Sequence, residues 1–153
     1  MKKAIFFQIE DDEVLDQRNL SFLVGIIEPF YNIKKQIFIL VNNELSEQNL
    51  DEFLWNLPAE KFLAHCISSE VSFNGSPIVI SHNLSNYSSN RIFINLSDSL
   101  VINNINSATI IDFVPNKEEL KKAARMRYMQ YKKLGFNIKT HSINSVYELD
   151  ILN

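Results

Sequence analysis

Apolar residues recur along this chain in two rhythms, short unbroken runs and longer stretches spaced by three and four. Their alternation predicts an α/β domain. The runs at 4–9, 37–41, 77–81, 91–96, 109–114 and 136–140 are rich in Ile, Val and Phe and read as strands, and 62–67 is a further, less regular one. Between the first two, Leu20, Leu23, Val24, Ile27, Phe30 and Tyr31 recur at helical spacing, and Gly25 weakens that helix without forbidding it. A strand–helix–strand opening implies parallel pairing through a right-handed crossover. Ser46 can cap a second, short helix in which Leu50, Phe53, Leu54 and Leu57 share a face and Pro58 marks the stop. Trp55 falls off that face. The polar stretch 83–90 reads as a loop, and 97–107 fits a loop or a short helix.

The most informative pattern lies between residues 109 and 140. A β-branched strand stops at Pro115, and a helix is predicted over 117–134, with Asn116 as its cap, Glu119 reaching back to the free backbone donors, and Gly135 as its left-handed terminator. Leu120, Ala123, Ala124, Tyr131 and Leu134 fall on one side and are expected to lie on the sheet. Beside them runs a second stripe, Lys121, Arg125, Tyr128 and Lys132, three cations and a ring along the margin of the buried face. Such a stripe suits an anionic ligand, and it equally suits a solvated basic face whose stems cover apolar surface. Arg127 points into the apolar side, where an unpaired charge is costly, so it is expected to meet a carboxylate such as Asp112 on the preceding strand.

Length and charge narrow the functions. The 153 residues, 46% of them hydrophobic and 11% aromatic, suffice for one domain over 1–153 with a single α/β core, a Rossmann-like, mostly parallel sheet flanked by helices. A net charge of −3 argues against a general nucleic-acid binder, so any basic site is local. The start, MKKAIFFQIEDDE, returns to charge too soon for a signal peptide or membrane span, which makes a cytoplasmic protein the expectation. Cys66 is the single cysteine and reads as a small core residue. Three isolated glycines cannot build a phosphate-binding loop, so no nucleotide site is expected. His65, His82 and His141 are too scattered for zinc, and no cofactor is expected. The acidic run Asp11, Asp12 and Glu13 can be read in two ways: as Mg²⁺ ligands of a small phosphoesterase at the end of the first strand, or as acids at a helix N-terminus.

Three stretches, DEFLWNLPAEKFLAH at 51–65, IDFVP at 111–115 and LKKAARMRYMQYKKLGFN at 120–137, together resemble the chi subunit family of bacterial DNA polymerase III. The resemblance implies a Rossmann-like fold and a non-catalytic accessory subunit of DNA replication. It further implies binding of the C-terminal tail of single-stranded-DNA-binding protein, an acidic peptide with a terminal hydrophobic residue, through Lys121, Arg125, Tyr128 and Lys132. Trp55, Pro58 and Phe62 match the positions that bind the psi subunit of the clamp loader, a face for which an XPD-like helicase is a second partner. Contact with DNA would then be indirect. The Asn- and Ser-rich segment 83–107 departs from the family's pattern, which leaves the opposite wall of the tail slot unassigned.

Overall fold

Strands whose side chains are apolar on both faces must be covered on both, and that requirement shapes this molecule. The computed structural model describes residues 2–10, 20–70, 75–88, 90–99, 105–145 and 150–152. Its strands are β1 (Lys3–Gln8), β2 (Ile37–Leu40), β3 (His65–Ile67), β4 (Ile78–Ser81), β5 (Ile92–Asn95), β6 (Thr109–Val114) and β7 (Asn137–Ser142). They form one sheet in the order β3-β4-β2-β5-β6-β1-β7, with parallel pairing throughout. Every residue of β2, β4 and β5 is buried.

The helices are α1 (Leu20–Asn32), α2 (Glu44–Trp55) and α3 (Glu118–Lys133). Leu23, Ile26 and Ile27 of α1 and Leu50 and Leu54 of α2 share one core with Ile5, Phe7, Ile37, Ile39 and Ile78. On the other face Tyr131 and Phe136 pack with Ala4, Phe6, Phe38 and Ile110. Side chains alternate across a strand, so α1 and α2 cover one face and α3 the other. No described helix is long and apolar enough to cross a membrane.

Several expectations change. β1 and β2 are parallel, yet β6 and β5 lie between them, so the opening unit is not a pair of neighbouring strands. The cap of α2 is Asn43, whose Oδ1 accepts from the Ser46 amide at 2.8 Å, because the helix begins ahead of Ser46. Leu134 is 46% exposed: it is the C-cap of α3, past the last helical residue, where the chain turns toward β7. Cys66 is half-buried on the short edge strand β3 and not a core residue. The carboxylates Asp11, Asp12 and Glu13 lie outside the described residues, as does part of 97–107.

Candidate functional site

Helix α3 is fixed at its end by backbone and at its middle by charge. Gly135 takes φ 90°, and the amides of Gly135 and Phe136 donate to the carbonyls of Lys132 and Tyr131, both at 3.1 Å. That pair of bonds is the Schellman arrangement, and Phe136 packs back on Tyr131 with ring centroids 6.0 Å apart. At the start, Lys117 is the N-cap and no side chain caps the helix, so Asn116 does not play the expected part and instead lines a pocket.

Arg127 does meet Asp112. Its Nε and Nη2 donate to the two carboxylate oxygens at 2.9 and 3.1 Å, and Nη1 donates to the Ser99 carbonyl at 3.0 Å. Asp112, fully buried, also accepts from Tyr131 Oη at 2.9 Å, Asn95 Nδ2 at 3.1 Å and the Phe113 amide at 2.7 Å. A buried charge costs little only when its lone pairs are filled in this way. Burial pulls the Arg127 guanidinium down, but the Asp112 charge and hydrogen bonds outweigh it and hold the group above its usual value. Burial first, then Asp112, pushes the Tyr131 phenol well above its usual range.

With α3 held, its stripe overhangs a pocket of about 950 Å³ at the carboxyl ends of β1, β6 and β7. Lys121, Arg125 and Tyr128 line it, and Lys132 does not. Phe6, Ile9, Val114, Ala124 and Met129 form apolar wall, while Gln8, Glu10, Thr140 and Ser142 add polar groups. Tyr128 rests on Phe6 with centroids 5.6 Å apart. The Arg125 side chain is 65% exposed, with Nη1 3.8 Å from Glu118 Oε1. Carboxyl ends of parallel strands are where such sheets bind ligands. Away from α3, the end of β7 supplies Thr140 and Ser142 to the lining, and no described residue of 83–107 does. Thr140 and Ser142, two apart on one strand, escaped the sequence reading, although their alternation on a strand beside a basic helix marks them.

The second group lies at the other end of the sheet. Trp55, the last residue of α2, is 60% exposed, and Phe62 is 42% exposed. Their ring centroids stand 5.3 Å apart, and Pro58 opens the turn between them. Beneath both rings is His65, 5.3 Å from Trp55 and 6.3 Å from Phe62, which the sequence did not single out. Its Nδ1 lies 2.7 Å from the Leu63 carbonyl, and Nε2 lies 3.0 Å from Asp51 Oδ1 but off the line of a hydrogen bond. His82 pairs elsewhere, with the buried Glu47 at 2.8 Å, and His, Cys, Asp and Glu form no metal-holding group among the described residues.

The family model described as DNA polymerase III chi subunit, HolC, matches residues 1–139. The chain belongs to the DNA polymerase III chi subunit family. It is 32% identical over 143 residues to the DNA polymerase III subunit chi of Escherichia coli K12, covering 92% of this chain and 97% of that protein. To the subunit chi of Haemophilus influenzae it is 32% identical over 143 residues, 93% of this chain and 98% of the relative. Chi subunits are accessory subunits of the replicative polymerase, and the α3 stripe and the Trp55–Phe62 pair both fall inside the matched region, whereas Thr140 and Ser142 of the pocket lie just beyond it.

Proposed function

We propose that this chi-family chain is a non-catalytic bridge in the polymerase III holoenzyme, acting in the cytoplasm. Its α3 pocket takes the C-terminal tail of single-stranded-DNA-binding protein, and its Trp55–Phe62 edge takes the psi subunit of the clamp loader. The observation that carries the reading is the convergence of Lys121, Arg125 and Tyr128 on one pocket with an apolar wall. A peptide ending in a hydrophobic residue offers a carboxylate and a ring at the same place. Arg125 matches the carboxylate as a planar fork, Tyr128 and Met129 enclose the ring, and Lys121 draws the upstream acids. Lys132, outside the pocket, acts further along the peptide. At the opposite edge, Trp55 and Phe62 present the exposed aromatic area typical of a protein anchor, with Pro58 shaping the turn, and an XPD-like helicase would compete for the same rings.

The test is a titration of a fluorescent tail peptide against wild type and Arg125→Ala, with circular dichroism to check folding. A charge-assisted hydrogen bond of about 1.5–3 kcal/mol makes the variant roughly ten- to a hundredfold weaker. Amidating the peptide's C-terminus has a comparable effect. Unchanged affinity in Arg125→Ala overturns the reading.

A further inference from the structure

Strand β7 is a sheet edge whose outer side is well placed for a partner. Among the described residues it pairs with β1 alone, and none of its residues is fully buried. The Asn137 amide donates to the Lys2 carbonyl at 2.9 Å, and parallel pairing alternates, so the amides of Asn137, Lys139 and His141 turn toward β1. Those of Ile138 and Thr140 turn outward. Side-chain direction alternates as well: Ile138 packs on the α3-side core and Thr140 lines the pocket, whereas His141 meets Phe7 on the other face. Lys139, the charge that would blunt this edge, therefore leaves the α3 side clear.

Helix α3 lies along this edge in a particular way. Arg127 reaches inward to Asp112 of β6, while Tyr128 stands on Phe6 of β1, so the stripe of Lys121, Arg125, Tyr128 and Lys132 is on the β7 flank. The chain reverses at Gly135 between α3 and β7, which sets the Arg125 end of the helix beside the carboxyl end of β7 and Lys132 beside its start.

We infer that the acidic tail binds in extended form as an added strand, running parallel to β7 and hydrogen-bonding to its outward amides. The inference rests on the tail-binding function proposed above. A peptide whose free carboxylate sits at Arg125 and whose chain retreats along β7 points the same way as every other strand of the sheet. Lys132 follows Arg125 by seven positions, a rise of about 10 Å on a helix. An extended chain covers that distance in about three residues. The acids about three residues upstream of the carboxylate thus come level with Lys132, which gives the one stripe residue outside the pocket a contact of its own. Strand addition also supplies affinity from the backbone, leaving selectivity to the carboxylate, the terminal ring and the charges.

Two experiments separate this geometry from simple docking at Arg125. The first scans the tail peptide with single backbone N-methyl groups, leaving the protein untouched. Added-strand pairing makes affinity fall at alternate positions, by roughly threefold to tenfold each, and tolerate the positions between. The second substitutes Thr140→Pro, which removes an outward amide and no bond to β1, a change edge strands accept. It weakens the peptide by a similar factor, while Thr140→Val, which keeps the amide, does not. If Thr140→Pro misfolds, the N-methyl scan decides alone. A peptide that binds in an Arg125-dependent way yet responds uniformly, or not at all, to N-methylation overturns the added strand and leaves tail binding intact. A wild-type chain that binds no tail peptide overturns both.

Discussion

The two ends of the sheet carry opposite kinds of surface, and they are built in different ways. At the β7 end, exposed cations are separated from what holds them in place: Arg125 reaches solvent, while Arg127, two positions on, is buried against Asp112, whose carboxylate also accepts from Tyr131 and Asn95. At the β3 end no such separation exists. Trp55 and Phe62 lean on each other and on the buried His65, so the rings offered to a partner also cover the fold. A charged site can therefore be altered with little loss of stability, and an aromatic one cannot.

The sharpest way to break that contrast is to attack the scaffold of the charged end. Arg127→Met leaves Asp112 buried without its cation, and breaking a buried pair on one side costs about 3–5 kcal/mol. Urea unfolding measures the loss. Trp55 is the sole tryptophan, so its fluorescence reports on the aromatic end. A single transition by fluorescence and by circular dichroism identifies one cooperative unit spanning both ends; two separate transitions would show that the ends fold independently.

Trp55→Ala tests the other end. Losing a buried anchor in a complex costs about 2 kcal/mol or more of binding, so psi-type capture falls strongly while the tail peptide still binds. The free protein also loses some stability, because His65 and Phe62 lose a neighbour. Full partner binding by a folded Trp55→Ala variant would make these rings a covering of the core and nothing more.

How much of this was legible beforehand follows the same division. The Arg127–Asp112 pair could be read in advance because a charge at an apolar helical position has few affordable partners. Gly135 and the stripe were readable for local reasons of the same kind. The neighbours of β1 were not, since strand order is settled by packing between segments far apart in sequence. Thr140 and Ser142 join the pocket only because β7 comes to lie beside β1, and His65 matters only because α2 and β3 bring two rings over it. The cap of α2 was misassigned because Asn43 and Ser46 are both good capping residues, and only the start of the helix chooses between them.

Alkaline pH probes the buried network more gently. The Tyr131 phenol lies well above its ordinary 10.0 through burial and the Asp112 charge, so the folded state favours the protonated form. Its contribution is complete below that pH and is lost as pH rises toward the folded value, because the unfolded chain ionises first. Tyr131→Phe forgoes the bond to Asp112 and is less stable by about 1.5 kcal/mol at neutral pH. Above pH 10.0 the wild type declines more steeply and the gap narrows. Parallel pH profiles for the two proteins would place the alkaline transition in other groups.

The smallest effect is also the most diagnostic, because its sign is opposite to that of the other binding variants. Glu118 Oε1 stands 3.8 Å from Arg125 Nη1, longer than a hydrogen bond, with both side chains 65% exposed. Surface pairs of this kind are worth about 0.2–1 kcal/mol, and an incoming carboxylate must compete with this one. Glu118→Gln removes the competitor and an acid beside the peptide, so tail affinity rises by roughly 1.4-fold to fivefold. The helix loses a first-turn acid and a few tenths of a kcal/mol with it, about 0.3 or more at low salt. Because both charges are solvated, the gain in affinity shrinks as salt rises and screening shortens the reach of each. Affinity measured at low and high salt for the wild type, Glu118→Gln, and Glu118→Gln combined with Arg125→Ala separates the contributions. A gain that disappears in the double variant runs through Arg125; a gain that persists without it belongs to Lys121 or to the general field of the helix.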